Sequence, residues 1–172
     1  EGARPDLLEN VAGAPGVQVY NLNENYRNGY NILNFAKGII THTKSHMYDD
    51  SVPMRVRIPG QVTWVEYNLR TVVDILRNSK EPMKNWFILT ELMIRLNVKY
   101  ILDSYKIPNI TFKRGGKSFN ELEELVNSDA VKILTIHTAK GLEANNVIVI
   151  GATMWKDEEI SLAYVAATRA RN

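Results

Sequence analysis

Residues 131–151 read VKILTIHTAKGLEANNVIVIG, and their pattern decides the fold class. An apolar, β-branched run (Val131, Ile133, Leu134, Ile136) opens the stretch, and a second run, Val147–Ile150, closes it. Between them lies a polar loop, His137–Asn146, that carries a His, a Lys, a Gly and a Glu. Two buried strands joined by a polar loop are the pattern of an α/β sheet with its chemistry at strand ends. A loop that only had to turn would be richer in Gly, Asn and Pro. This one holds charged and polar side chains instead, so it reads as a site.

The 172 residues suffice for one domain with a sizeable core. Apolar residues make up 45% and charged residues 23%, the balance of an ordinary globular chain. A formal net charge of +2 does not in itself imply nucleic acid. Having no cysteine, the sequence can form neither disulfides nor thiolate metal sites, and its three scattered histidines lack ligand spacing. No apolar run approaches the ~20 residues that span a bilayer, so a cytoplasmic protein with no membrane partner is expected. The start at Glu1 and the stop at Asn172 lead to the expectation of a piece of a longer protein.

In chain order, Gly and Pro mark residues 1–16 as loop with a short helical turn around Leu7–Val11. Val17–Leu22 alternates like a strand, Asn23–Arg27 reads as a polar junction, and Ile32, Leu33, Phe35, Ala36, Ile39 and Ile40 line one face of a helix. His42–Ile58 reads as loop, Val62–Tyr67 as strand, and Leu69–Leu76 as a helix capped by Asn68. Trp86–Leu89 is a buried strand, Leu92–Tyr105 an amphipathic helix, and Asn109–Lys113 a strand. Ser118 is placed to cap a helix over Phe119–Val126, with Glu121 completing a capping box. Asp157–Arg171 is the last helix. Strands alternating with helices predict a mostly parallel sheet covered on both faces.

Four motifs carry candidate chemistry. Gly116-Lys117-Ser118, between a strand and a helix, imitates a phosphate-binding loop, but Thr111 stands where that pattern requires glycine. It reads as a solvated basic turn. Asn25-Tyr26-Arg27 could present a cation to an anion and a ring to a base, or be a turn with a surface arginine. Thr135 to Glu143 places Thr135 and His137 the same way at a strand end, with Gly141 free to take positive φ. A structural histidine would look the same. Glu158-Glu159 precedes Tyr164-Val165-Ala166-Ala167-Thr168-Arg169-Ala170, where Arg169 in a last helical turn could merely complement the helix dipole.

Taken in order, Asn25-Tyr26-Arg27, Thr135 to Glu143 and Tyr164 to Ala170 resemble motifs IV, V and VI of superfamily 1 helicases of the UvrD/Rep/PcrA type. The resemblance implies the second RecA-like motor domain over residues 17–172, with 1–16 as the tail of a preceding motor domain. The implied fold is an α/β, RecA-like, mostly parallel sheet with helices on both faces, a P-loop NTPase domain lacking its own Walker A. The implied activity is that of an ATP-dependent DNA helicase or translocase, inactive as this fragment alone. ATP with Mg2+ would lie against an N-terminal RecA-like domain of the same polypeptide, which holds the metal.

Residue by residue, Arg27 and Arg169 match the two arginines that contact the γ-phosphate, the catalytic pair. Tyr26 matches the adenine-stacking residue, Glu143 the ribose-binding one, and Gly141 lies close to the nucleotide. Thr135, His137 and Lys140 fall where relatives meet single-stranded DNA (or a 3′-tailed duplex). Three departures stand out. The family's long helical insertion before motif V is absent, Ala144 replaces a usual aromatic, and Glu91 stands where a basic residue usually touches DNA. The alternative reading is the same motor core in a non-unwinding remodeller of a polymerase or in a helicase–nuclease fusion.

Overall fold

In a computed structural model, which describes residues 5–20, 22–43, 49–111, 123–124, 127–152, 154 and 156–172, the decisive stretch forms two parallel strands. These are β5 (Val131–Thr135) and β6 (Asn146–Ile150), and β3 (Trp86–Thr90) lies between them. With β4 (Asn109–Thr111) at one edge, the order is β4-β5-β3-β6, all parallel. Ile88 sits opposite Ile133 on one side and Ile148 on the other. A central strand with cover on both faces has no solvated side, so β3 is apolar at four successive positions.

Alternation along the strands divides the core into two layers. Ile88, Val131 and Ile133 face helices α3 (Leu69–Asn78) and α4 (Arg95–Ser104), meeting Val72, Val73, Leu76, Val98 and Leu102. Phe87, Leu89 and Leu134 face the opposite way and meet Ala166 of α5 (Asp157–Ala167). The small residues of α5 also admit α2 (Tyr30–Ile40), where Ile39 packs on Ile160 and Ala163. Truncating any of the fully buried Leu89, Ile133 or Leu134 to Ala would cost about 2–5 kcal/mol. Asn68 caps α3 as expected, its side chain accepting the Arg70 N–H at 2.8 Å.

The amino-terminal third departs from expectation. The strand lies at β1 (Glu24–Gly29) rather than at Val17–Leu22, so the expected polar junction is itself extended. Its parallel partner is β2 (Val52–Arg55), inside the segment expected to be loop. Val17, Val19, Tyr20 and Leu22 have β-forming side chains but are exposed and lie outside any strand. Propensity without a neighbouring strand does not make a ladder. Pro53 is tolerated because β2 is an edge. Val62–Tyr67 also forms no strand. It is exposed, with Trp64 set edge-on to Phe35 at 5.5 Å between ring centres.

Smaller shifts occur elsewhere. Helix α1 (Pro5–Ala12) is longer than the single turn expected, and α4 begins at Arg95 rather than Leu92. Helix α5 stops at Ala167, which puts Arg169 just beyond the helix instead of in its last turn. The basic turn Gly115–Ser118, the end of the β4 reading at Lys113, and most of the expected Phe119–Val126 helix lie outside the described residues.

The two sheets meet through the chain's last residues. Ala170 bridges Ala144 in parallel, and the N–H of Gly29 donates to the Arg171 carbonyl at 3.0 Å. A Cβ at Gly29 would fall 2.7 Å from the Ile58 carbonyl oxygen and 2.8 Å from that of Pro59, so only glycine fits there. Among the described residues no helix is long and apolar enough to cross a membrane.

Candidate functional site

The polar loop expected to be the site turns immediately after β5, over residues 136–141. The Thr135 hydroxyl organises the turn, lying 2.8 Å from the Thr138 hydroxyl and accepting the Thr138 N–H at 3.2 Å. Gly141 has φ +85°, the left-handed region that favours glycine, and a Cβ there would meet open space. Beyond it, Ala144 exchanges backbone hydrogen bonds with Arg169 and Arg171, at 3.1 and 2.9 Å. The loop therefore joins the strand ends to the carboxyl-terminal segment, and two separate features form on its two sides.

The first is an edge bearing two arginines. Arg27 on β1 and Arg169 after α5 come from opposite ends of the chain yet are neighbours. Burial, and then the nearby Arg27 guanidinium, push the Arg169 pKa down, while Glu143 and Tyr164 oppose that shift. Arg169 is held by its own surroundings. Its Nε donates to the Val165 carbonyl at 3.0 Å, one terminal nitrogen to the Leu142 carbonyl and the other to the Thr168 hydroxyl, both at 3.3 Å. The Arg27 Nε is buried without a hydrogen-bond partner.

Tyr164 lies between these groups and donates to an Asp49 carboxylate oxygen at 2.7 Å. Burial and that carboxylate push its pKa up to about 12. Burial alone would raise the Asp49 carboxyl, but hydrogen bonds from Ser51 and Tyr164 outweigh it and hold the group below the usual carboxylate range. Tyr26 is exposed on β1, its ring open to solvent and its hydroxyl donating to Glu24. Glu143 pairs with Arg171 at 3.3 Å.

The second feature is a cleft of about 650 Å³ across the carboxyl ends of β3, β5 and β6. Ligands of open parallel sheets bind in that place. Thr135 and His137 both line it, together with Ile136, Thr138, Thr90, Glu91 and Arg95, because the strand ends at Thr135 and the turn, not alternation, brings His137 there. Lys140 is exposed on the loop and is not among the lining residues.

Sequence reasoning missed several of these residues. Thr90 is 1% exposed, and its hydroxyl has no hydrogen-bond partner. Arg95 is 7% exposed, an uncommon burial for an arginine, and brings positive charge to a cleft that also holds the carboxylates of Glu91 and Glu159. The position of Thr90 as the last residue of a parallel strand was the available signal. Arg95 gave none, because an arginine in a first helical turn usually faces water. Asn28, fully buried beside Arg27, was also missed.

The UvrD-like helicase C-terminal domain model matches residues 66–172. The chain belongs to that family. A curated relative, the ATP-dependent DNA helicase Rep of Buchnera aphidicola subsp. Baizongia pistaciae (strain Bp), is 36% identical over 101 residues, covering 51% of this chain. The aligned part is 15% of that relative's length. Among solved structures, the C-terminal domain of a possible DNA helicase from Lactobacillus plantarum WCFS1 matches with a TM-score of 0.57 and 19% identity. The match covers 86% of this chain and 83% of that one, a likeness in fold. The mixed α/β architecture with parallel strands is thus that of a UvrD-like C-terminal domain. The family match starts at residue 66, so Tyr26 and Arg27 precede it, and their link to the family's span is the tertiary contact with residues 168–171.

Proposed function

We propose that this domain is the second motor domain of an ATP-dependent DNA helicase or translocase, following a first motor domain to whose tail residues 1–16 belong. In this reading the arginine edge completes an ATP site on that first domain, and the strand-end cleft grips single-stranded DNA. The observation that carries the reading is the convergence of Arg27 and Arg169 beside Tyr164 and Glu143.

Two permanent cations held close together repel, and a polyanion placed between them relieves that repulsion. A transferred phosphoryl group spreads charge over its oxygens, and planar guanidiniums stabilise that charge through paired N–H donors. Arginines in this role supply roughly 10³–10⁵ in rate, or about 4–7 kcal/mol. Tyr26 offers an open ring for the adenine, Glu143 an acceptor for a ribose hydroxyl, and Gly141 a close backbone approach. Mg2+ would be held by the first motor domain.

In the cleft, Thr90, Thr135, His137 and Arg95 offer donors to backbone phosphates, with Lys140 on the rim. Such contacts are salt-dependent and tolerant of sequence. Because the turn at residues 136–141 borders both features, loss of a γ-phosphate at one would change the grip at the other. The test is ATP hydrolysis by the full-length protein with and without single-stranded DNA. DNA should raise turnover at least about tenfold, and turnover indifferent to DNA would defeat the reading.

A further inference from the structure

Asn28 has three side-chain hydrogen bonds, two of them to a segment at the far end of the chain. Its Nδ2 donates to the Thr168 carbonyl at 3.1 Å and to the Ala170 carbonyl at 2.5 Å, and its Oδ1 accepts from Asn25 Nδ2 at 3.2 Å. The amide orientation follows from chemistry, since two carbonyls can only accept and the nitrogen must face them. Asn28 directly follows Arg27 in sequence, and the two carbonyls it holds bracket Arg169. Both N–H donors of a fully buried side chain are thus committed to joining the two arginine-bearing segments, while its oxygen ties it to Asn25 on its own strand.

Neighbouring contacts make a rigid frame around that link. Asn25 Oδ1 accepts the N–H groups of Arg27 and Asn28, at 3.0 and 2.9 Å. One Arg55 nitrogen donates to the carbonyls of both Arg27 and Arg171, at 2.7 and 3.0 Å. On the other side, the Arg169 carbonyl accepts from the Ala144 N–H. These ties, with the Gly29 N–H to Arg171 carbonyl bond and the packing of α2 on α5, oppose separation of the two like charges, each of which is better solvated alone.

We propose that Asn28 is the positioning residue that clasps the Arg27 and Arg169 segments into one rigid unit, so that both cations meet an anion together at a fixed spacing. This rests on the ATP-site reading above. Asn28 acts through the arginines and touches no nucleotide itself. No other residue type serves as well: Ser reaches one carbonyl, Asp turns a carboxylate toward two acceptors, and Ala leaves both carbonyls without a donor.

The experiment is DNA-stimulated ATP hydrolysis by the full-length protein carrying Asn28→Ala, Asn28→Ser, Arg27→Ala, Arg169→Ala, or Asn28→Ala with Arg169→Ala. Thermal unfolding of each variant is followed alongside. Asn28→Ala should lower kcat about tenfold or more while leaving the KM for ATP within about threefold, with Asn28→Ser between it and wild type. In the Arg169→Ala background the same change should cost less than about threefold, because there is no longer a pair to position. Wild-type turnover by Asn28→Ala beside a crippled Arg169→Ala would overturn the clasp and leave the ATP-site reading standing. An equal loss in both backgrounds would overturn it too, since Asn28 would then act independently of the pair. Wild-type turnover by both arginine variants would remove the reading and the clasp together. If Asn28→Ala does not fold, Asn28→Ser carries the same comparison.

Discussion

The arginine edge and the strand-end cleft share the turn at residues 136–141 and are built on different plans. The cleft is concave, floored by the carboxyl ends of β3, β5 and β6, and its polar groups converge from one sheet and the helices α4 and α5 beside it. The edge is assembled from segments remote in sequence, β1 and residues 168–171, and is held together by a buried amide and by partly exposed guanidinium contacts. One feature is a half-open concavity between strand ends and helices. The other presents cations at a surface and needs a second body to enclose the charge they attract. On the proposed function, the first would grip one ligand and the second would complete a site for another.

If the two features divide the work, variants should separate them. The largest effect is expected from Arg169→Ala, which should cut ATP turnover by about 10²–10³ while single-stranded DNA affinity stays within about twofold. Steady-state kinetics beside fluorescence anisotropy would show it, and a parallel loss of DNA affinity would merge the two features. His137→Ala should do the reverse, weakening DNA binding about tenfold, or about 1.4 kcal/mol, with nucleotide affinity unchanged. Gly141→Ala meets no steric obstacle, so its cost is conformational. A loss of about 1 kcal/mol in denaturant unfolding is expected, and a neutral result would mean the turn relaxes out of positive φ.

The smallest effect is a pH slope at the edge alone. The folded-state pKa of Tyr164, about 12, lies above the ordinary tyrosine value of 10.0. Its stabilisation is therefore complete below pH 10 and is lost as pH rises from about 10 to about 12, because the unfolded chain gives up the proton first. Tyr164→Phe should flatten that part of the stability curve relative to wild type. An unchanged slope would show that Tyr164 is not the group responsible.

How far each feature could be read in advance follows the same division. The strands of the cleft announce themselves, since Phe87-Ile88-Leu89 is an apolar run and Val131, Ile133 and Leu134 flank a single Lys132, a density that only a twice-covered sheet explains. Thr135 then follows as the strand's last residue, whereas His137 reaches the cleft through the turn rather than by alternation. Thr90 and Arg95 do not stand out, because a single threonine or arginine carries no period. On the edge, Arg27 and Arg169 were reached through resemblance rather than pattern. Their secondary structure was misplaced, with β1 read as a junction and the strand assigned to Val17–Leu22. Glu24–Gly29 is polar and contains two asparagines and a glycine, a poor strand on propensity.

The sequence by itself determined the layered parallel sheet, the helices α2, α3 and α5, and the polar loop between two strands, because burial imposes a period that residue types must obey. The second strand, expected to be buried, is an edge strand with Val149 exposed. Tertiary structure alone decided that ENYRNG is a strand and that Val62–Tyr67 is not. It also decided that a buried Asn28, with Arg55 beside it, joins the two arginine-bearing segments. These outcomes depend on which backbone groups find partners far along the chain, and the order of side chains does not encode that information locally.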